Sequence, residues 1–203
     1  MTTYKIRVTT PFTDKDTRKL LSIGDKLETD SYSRASFIVQ QRLGDLVEIK
    51  HGEKKGKRIY IHHLDCLKIG GIETAHRQIA KVFADYDITF VFHKADPTQV
   101  LELGKTCSVI IDDGIQRYDG DVFILSNYDG ASAILSRVKV KKVYQFIHTD
   151  WEALTKLWRG FSWKPDKRID QFVSVSETAQ KGLKNAFGID SVVCHNVLAP
   201  LDK

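Results

Sequence analysis

Apolar and polar positions follow two different rhythms along this chain. From Tyr4 to about Ile49 apolar residues are interleaved with charges, and Tyr4-Lys5-Ile6-Arg7-Val8 shows the period of two of a half-buried strand. Leu20-Leu21-Ser22-Ile23-Gly24-Asp25-Lys26-Leu27-Glu28 reads as strand, Gly-Asp turn, strand. Asp30-Ser31 then offers an N-cap to a helix over Arg34 to Leu43, which Gly44 ends. The apolar set available here, Ile6, Val8, Leu21, Leu27, Phe37, Ile38 and Leu43, is a marginal core for a unit standing alone.

Beyond Arg58 short unbroken apolar runs alternate with helical stretches. Strands are expected over Arg58 to Leu64, Ile88 to Phe92, Ser108 to Ile111, Val122 to Leu125, Lys142 to Ile147, Gln171 to Val175 and Ser191 to Cys194. Helices are expected over Ile72 to Ala84, Pro97 to Leu103, Gly130 to Val138, Trp151 to Leu157 and Glu177 to Phe187. Such βαβα order calls for a parallel sheet covered on both faces. Between the two rhythms, His51-Gly52-Glu53-Lys54-Lys55-Gly56-Lys57 is polar and reads as a solvated hinge. The expected organisation is a small β-rich module with one helix at 1–50, a linker at 51–57 and an α/β domain at 58–203.

Composition narrows the classes. A hydrophobic content of 42% supports a sizeable core, and no apolar run approaches the ~20 residues that cross a bilayer. Cys66, Cys107 and Cys194 are odd in number and widely spaced, which argues against a disulfide framework or a zinc site and for a reducing, cytoplasmic setting. The formal net charge of +5 favours an anionic partner. Lys54-Lys55-Gly56-Lys57 lacks interleaved aromatics to stack on bases, so no nucleic acid is expected.

The candidate chemistry lies at strand ends, because in an open parallel sheet the ligand crevice opens beyond the strands' carboxyl ends. There the chain reads Gly70-Gly71 after the first apolar strand, Ser126-Asn127 after the fourth, His148-Thr149-Asp150 after the fifth and Ser176-Glu177 after the sixth. Gly70-Gly71 opens an amphipathic helix, whose free N–H groups and macrodipole suit a diphosphate approaching a backbone without Cβ atoms. Neither the Walker nor the G-x-G-x-x-G pattern is present, and a tight βα turn explains the glycines equally well. The histidine, aspartate and serine serve equally as caps and loop supports.

Taken in order, the glycine-glycine-hydrophobic-glutamate helix start at Gly70 to Glu73, His148-x-Asp150, and Phe172-Val173-Ser174-Val175-Ser176-Glu177 followed by Val192-Val193-Cys194-His195-Asn196 resemble a known family. The stretch from about Lys57 to Leu198 is similar to the amino-terminal, acceptor-side half of a retaining, family 4-type GT-B glycosyltransferase. The resemblance implies a Rossmann-like parallel sheet with helices on both faces. It implies a nucleotide-sugar donor (UDP- or GDP-sugar), a sugar or protein acceptor, no metal, and a carboxyl-terminal donor-binding domain without which this stretch is inactive. By the same resemblance, Gly70 and Gly71 touch the donor diphosphate and His148 stands beside the transferred sugar, with Glu73, Asn127, Asp150 and Ser176 as acceptor-side candidates. Negative charge grows on the departing diphosphate in such a transfer, which oriented N–H donors stabilise.

Other features divide between function and packing. Glu73 in a first helical turn also complements the dipole. His62 and His63 suit hydrogen bonding better than metal binding, and Asp112-Asp113 before Gly114 reads as a solvated turn. Trp151, Leu154, Leu157, Trp158, Phe161 and Trp163 among Lys156, Arg159, Lys164, Lys167 and Arg168 suit either a packed lid or a peripheral contact with an anionic membrane. The front stretch YKIRVTTPFTDKDTRKLLSIGDKLETD faintly resembles small modules of tailed-bacteriophage proteins, which implies a phage or prophage enzyme in a bacterial or phage-infected cell. A non-catalytic sugar- or protein-binding module is the alternative function.

Overall fold

The computed structural model describes residues 1–52, 54–66, 71–126, 131–158 and 161–196. The front of the chain forms β1 (Thr3–Val8), β2 (Phe12–Thr13), β3 (Leu20–Leu21), β4 (Lys26–Thr29), α1 (Tyr32–Gln40) and β5 (Gly44–Lys50). The first alternating units follow as β6 (Arg58–Cys66), α2 (Gly71–Val82), β7 (Asp87–Ala95), α3 (Pro97–Leu103), β8 (Ser108–Ile111) and β9 (Tyr118–Asp119). The rest comprises β10 (Val122–Leu125), α4 (Ala131–Leu135), β11 (Val138–Lys139), β12 (Lys142–Ile147), α5 (Trp151–Leu157), β13 (Gln171–Ser174), α6 (Glu177–Phe187) and β14 (Val192–Val193).

One ten-stranded sheet runs β14-β13-β12-β10-β6-β7-β8-β5-β1-β4. The pairs from β8 to β14 are all parallel. Numbered by sequence, with β6 as 1, β7 as 2, β8 as 3, β10 as 4, β12 as 5, β13 as 6 and β14 as 7, these strands stand in the order 3-2-1-4-5-6-7. This is an α/β architecture compatible with a Rossmann-like fold. The front strands β5, β1 and β4 extend the same sheet antiparallel from β8.

Alternation assigns the two faces. Ile61, Phe90, Phe92 and Val109 point to one side and join a core with residues of α1, α2 and α3, including Ala35, Ile38, Ala80, Val100 and Leu101. Tyr60, Val91, Ile110, Phe123, Leu125 and Val143 point to the other and meet Ala131, Ile134 and Leu135 of α4. On that second face Ile147 packs with Trp151 of α5 and Ala179 and Leu183 of α6. Helices therefore flank both faces, as short right-handed crossovers require.

Local signals explain the helix limits. Ser31, Asp96, Asp150 and Ser176 each accept a backbone N–H as N-caps, and Pro97 opens α3. Helix α6 ends at Gly188, whose φ of 69° is the left-handed conformation of a C-cap glycine. Helix α1 stops short of the expected Gly44: Arg42 takes a φ of 56° and the Leu43 N–H turns back to Ile38.

The front of the chain departs from expectation in three respects. Leu20–Leu21 and Lys26–Thr29 do not pair with each other; the first pairs with Phe12–Thr13 and the second with β1. Strand β5 is an addition, hidden in the sequence because a bulge against Lys5/Ile6 leaves Leu46 and Ile49, three residues apart, both inward. Most consequential, Tyr4, Ile6, Leu27, Ala35, Ile38, Leu46 and Ile49 share one core with Phe90, Val100 and Val109, so the front does not carry a marginal core of its own.

The described part of the 51–57 stretch is exposed at Gly52, Lys55, Gly56 and Lys57, as a solvated stretch requires, but it is tied down at His51 and Lys54. The His51 N–H donates to Ser108 Oγ at 3.0 Å, its Nε2 lies 2.6 Å from the Gly104 carbonyl oxygen, and Lys54 Nζ donates to the Ala84 carbonyl at 2.6 Å. A Cβ on Gly56 would stand 2.4 Å from the Asp85 carbonyl oxygen, so glycine is needed there for close approach. Among the described residues no helix is long and apolar enough to cross a membrane.

Candidate functional site

The chain leaves β6 toward β7 on one side and later returns to β10 on the other, so β6 and β10 form the topological switch point. The connection after β6 leads to α2 on one face and that after β10 to α4 on the other, which opens a crevice between them. Gly71 stands first in α2, and Ser126, His148 with Asp150, and Ser176 follow β10, β12 and β13. All the parallel strands point the same way, so Gly71, His148, Asp150 and Ser176 lie along one edge of the sheet. Gly70 and Asn127 lie outside the described residues, and Glu73 is placed only by its position in the first turn of α2.

His148 continues the face of Phe146, on which its ring stacks at 6.2 Å and 29°. His63, on β6, is its electrostatic neighbour from the same face. Burial, with a smaller contribution from His63, pushes the His148 pKa down to about 4, so the imidazole is neutral at pH 7. A neutral ring carries one donor and one acceptor, which suits hydrogen bonding to a hydroxyl.

Asp150 and Ser176 work as caps. Asp150 Oδ1 accepts from the Glu152 and Ala153 N–H groups at 3.0 and 3.2 Å, and Ser176 Oγ accepts from Ala179 N at 3.1 Å. Gly182 lets α6 approach α5, since a Cβ there would fall 2.4 Å from Asp150 Oδ1. Between the amino ends of α5 and α6 a cavity of about 400 Å³ is lined by Asp150, Glu152, Glu177, Thr178, Lys181 and Gly182.

A second polar cluster, not foreseen in the sequence, lies on the opposite face at the same end of the sheet. His62 Nε2 lies 2.9 Å from His93 Nε2, and His93 Nδ1 is 3.6 Å from Asp112 Oδ2. Asp112 is held by both Arg137 Nη atoms at 2.7 and 2.6 Å and by the Tyr118 hydroxyl at 2.9 Å. Burial pushes the Asp112 carboxyl up, but hydrogen bonds from Arg137 and Tyr118 outweigh it and hold the group below its ordinary value. Burial, reinforced by His93, depresses His62 to about 3. Asp112 is thus a buried anchor and not the solvated turn residue expected; Asp113 supplies the turn, accepting from Ile115 N at 3.1 Å beside Gly114 at φ 87°.

The basic aromatic stretch divides as well. Trp151 is buried and stacks with Phe161 and Trp163, while Leu157 and Trp158 face outward. Among the described residues no group of three or more His, Cys, Asp or Glu side chains is arranged to hold a metal ion. Comparison with protein-family models, with curated proteins and with solved structures gives no match to this chain.

Proposed function

We propose that the chain is the acceptor-side half of a retaining GT-B glycosyltransferase, using a UDP- or GDP-sugar. One observation carries the reading: a glycine-led helix start after the first parallel strand and a neutral, half-buried His148 after the fifth share one crevice edge. In this reading the N–H groups at the start of α2 take the diphosphate. As the glycosidic bond to the leaving group breaks, negative charge collects on the diphosphate oxygens, and those donors need no reorganisation to stabilise it. His148 holds a hydroxyl of the transferred sugar by a neutral hydrogen bond, which orients the ring without adding a second positive charge beside the oxocarbenium-like carbon. The family pairs this half with a donor-binding domain, so the two sides together enclose the nucleotide sugar.

Titration with UDP- and GDP-hexoses, followed by amide NMR, tests this reading. Saturable shifts are expected at Gly71, Thr74, His148 and Ser176, and Gly71→Val should remove them with the spectrum otherwise folded. Valine blocks close approach of an anion to the backbone and costs a helix start less than about 1 kcal/mol. No shift with any donor at millimolar concentration, or shifts indifferent to Gly71→Val, would count against a diphosphate site.

A further inference from the structure

At the amino end of the sheet, away from the crevice, a cavity of about 200 Å³ opens on the face that carries Tyr60. Its floor is Tyr60, Thr89, Ser108 and Ile110, which register across β6, β7 and β8. Thr89 stands six residues before the carboxyl end of β7, roughly 20 Å along the strand. One wall comes from the front of the chain, where Glu48 and Lys50 of β5 face it, and the other from the Gln116-Arg117 loop.

The charges on this cavity do not cancel. Glu48 is paired with Lys5 at 2.7 Å and Asp87 with Arg58 at 3.0 Å, so both carboxylates are spoken for. Lys50 and Arg117, on opposite walls, make no ion pair among the described residues. The floor adds donors. Thr89 is buried and its hydroxyl makes no hydrogen bond among the described residues, while Ser108 Oγ accepts from His51 N and keeps its own proton to donate. Gln116 uses its carbonyl for Arg137 and leaves its side-chain amide at the rim.

We propose that this cleft is an anion site that takes a single phosphate or phosphomonoester group between Lys50 and Arg117, with Thr89, Ser108 and Gln116 as hydrogen-bond donors. Two uncompensated cations facing each other favour a doubly charged group, and a space below the 300 Å³ usual for ligand pockets holds one oxyanion and not a nucleotide. The site exists only where β5 docks beside β8, which gives the front segment a role in binding besides packing. It is independent of the proposed glycosyl transfer, because its residues and the crevice residues do not overlap.

Amide NMR of the whole chain, titrated with inorganic phosphate and separately with glycerol 3-phosphate, decides the matter, with chloride added to equal ionic strength as control. Saturable shifts are expected at Lys50, Thr89, Ser108, Gln116 and Arg117, with Gly71 and His148 unmoved. Lys50→Gln and Arg117→Gln should each weaken binding about tenfold, the size of one charge-assisted hydrogen bond, and both lie at exposed positions that leave the fold intact. Tighter binding of the ester would assign a phosphomonoester, and equal binding free phosphate. Shifts that chloride reproduces, or that survive in the double variant, would overturn the proposal.

Discussion

Asp112 and Arg137 are far apart in sequence, yet their fork-to-fork contact fixes the carboxyl end of β8 against the turn after α4. The Asp112 side chain has no exposure and that of Arg137 only 15%, so each depends on the other for neutralisation. Asp112→Asn keeps the shape but leaves a buried guanidinium without its anion, a loss of about 3–5 kcal/mol when one member of a buried pair is removed. Urea denaturation at pH 7 should show that loss as a lower midpoint at unchanged slope; a change below 1 kcal/mol would mean that water already reaches Arg137. This cluster was illegible in the sequence for a physical reason. Asp112-Asp113-Gly114 has turn chemistry whether or not its first carboxylate is buried, and nothing local says which distant cation will meet it. His62 and His93 left a faint trace, as polar interruptions late in two apolar runs. The caps were readable because they are local: Ser31, Asp150 and Ser176 act within three residues of themselves.

Elements buried on both faces were the most legible, and β8, β10, β12, α3, α5 and α6 keep the bounds their apolar runs suggest. The front strands were not, because each presents only one apolar face and a bulge spoils the alternation of β5. Reading that segment as a separate module followed from seeing its charged positions without their partner. Its inward residues find the other half of their core on α3, β7 and β8. The chain offers a clean test, since its three tryptophans, Trp151, Trp158 and Trp163, all lie at the far end of the sheet from β5. Ile49 is fully buried at the seam, and Ile49→Ala should destabilise by roughly 2–5 kcal/mol through lost transfer energy and a cavity. In one cooperative unit the tryptophan fluorescence transition moves to lower urea by that amount. An unmoved tryptophan transition, with circular dichroism showing a separate early step, would restore the modular picture.

Over the whole molecule, two imidazoles on opposite faces of the sheet, His62 buried and His148 half-buried, link stability to pH. His62 is depressed from 6.5 to about 3 and His148 from 6.5 to about 4, burial being the main cause for both. Between those folded values and 6.5 the unfolded chain binds the protons that the folded chain refuses, so stability rises with pH through this window and levels off above it. The groups whose charges act on His62 are His93, Asp112 and Arg137 with His63 beside it in the strand, and Asp112 alone favours its protonation. Asp112 adds a loss lower down: its folded value lies below the ordinary one near 3.8, so its contribution is present above that value and fades as pH falls through the folded value. At about 1.4 kcal/mol per unit, the two histidines together amount to several kcal/mol. Urea midpoints should therefore be level from pH 8 to 7 and fall steadily from 6.5 to 4.5, and the upper part of that fall, above about pH 5, lies beyond the range where carboxylates alone would act. His148→Gln, which cannot take a proton, should flatten part of that fall while His62 keeps the rest. A midpoint unchanged between pH 7 and 4.5 would show both rings protonating inside the folded chain, and the neutral His148 on which the sugar-holding role depends would go with it.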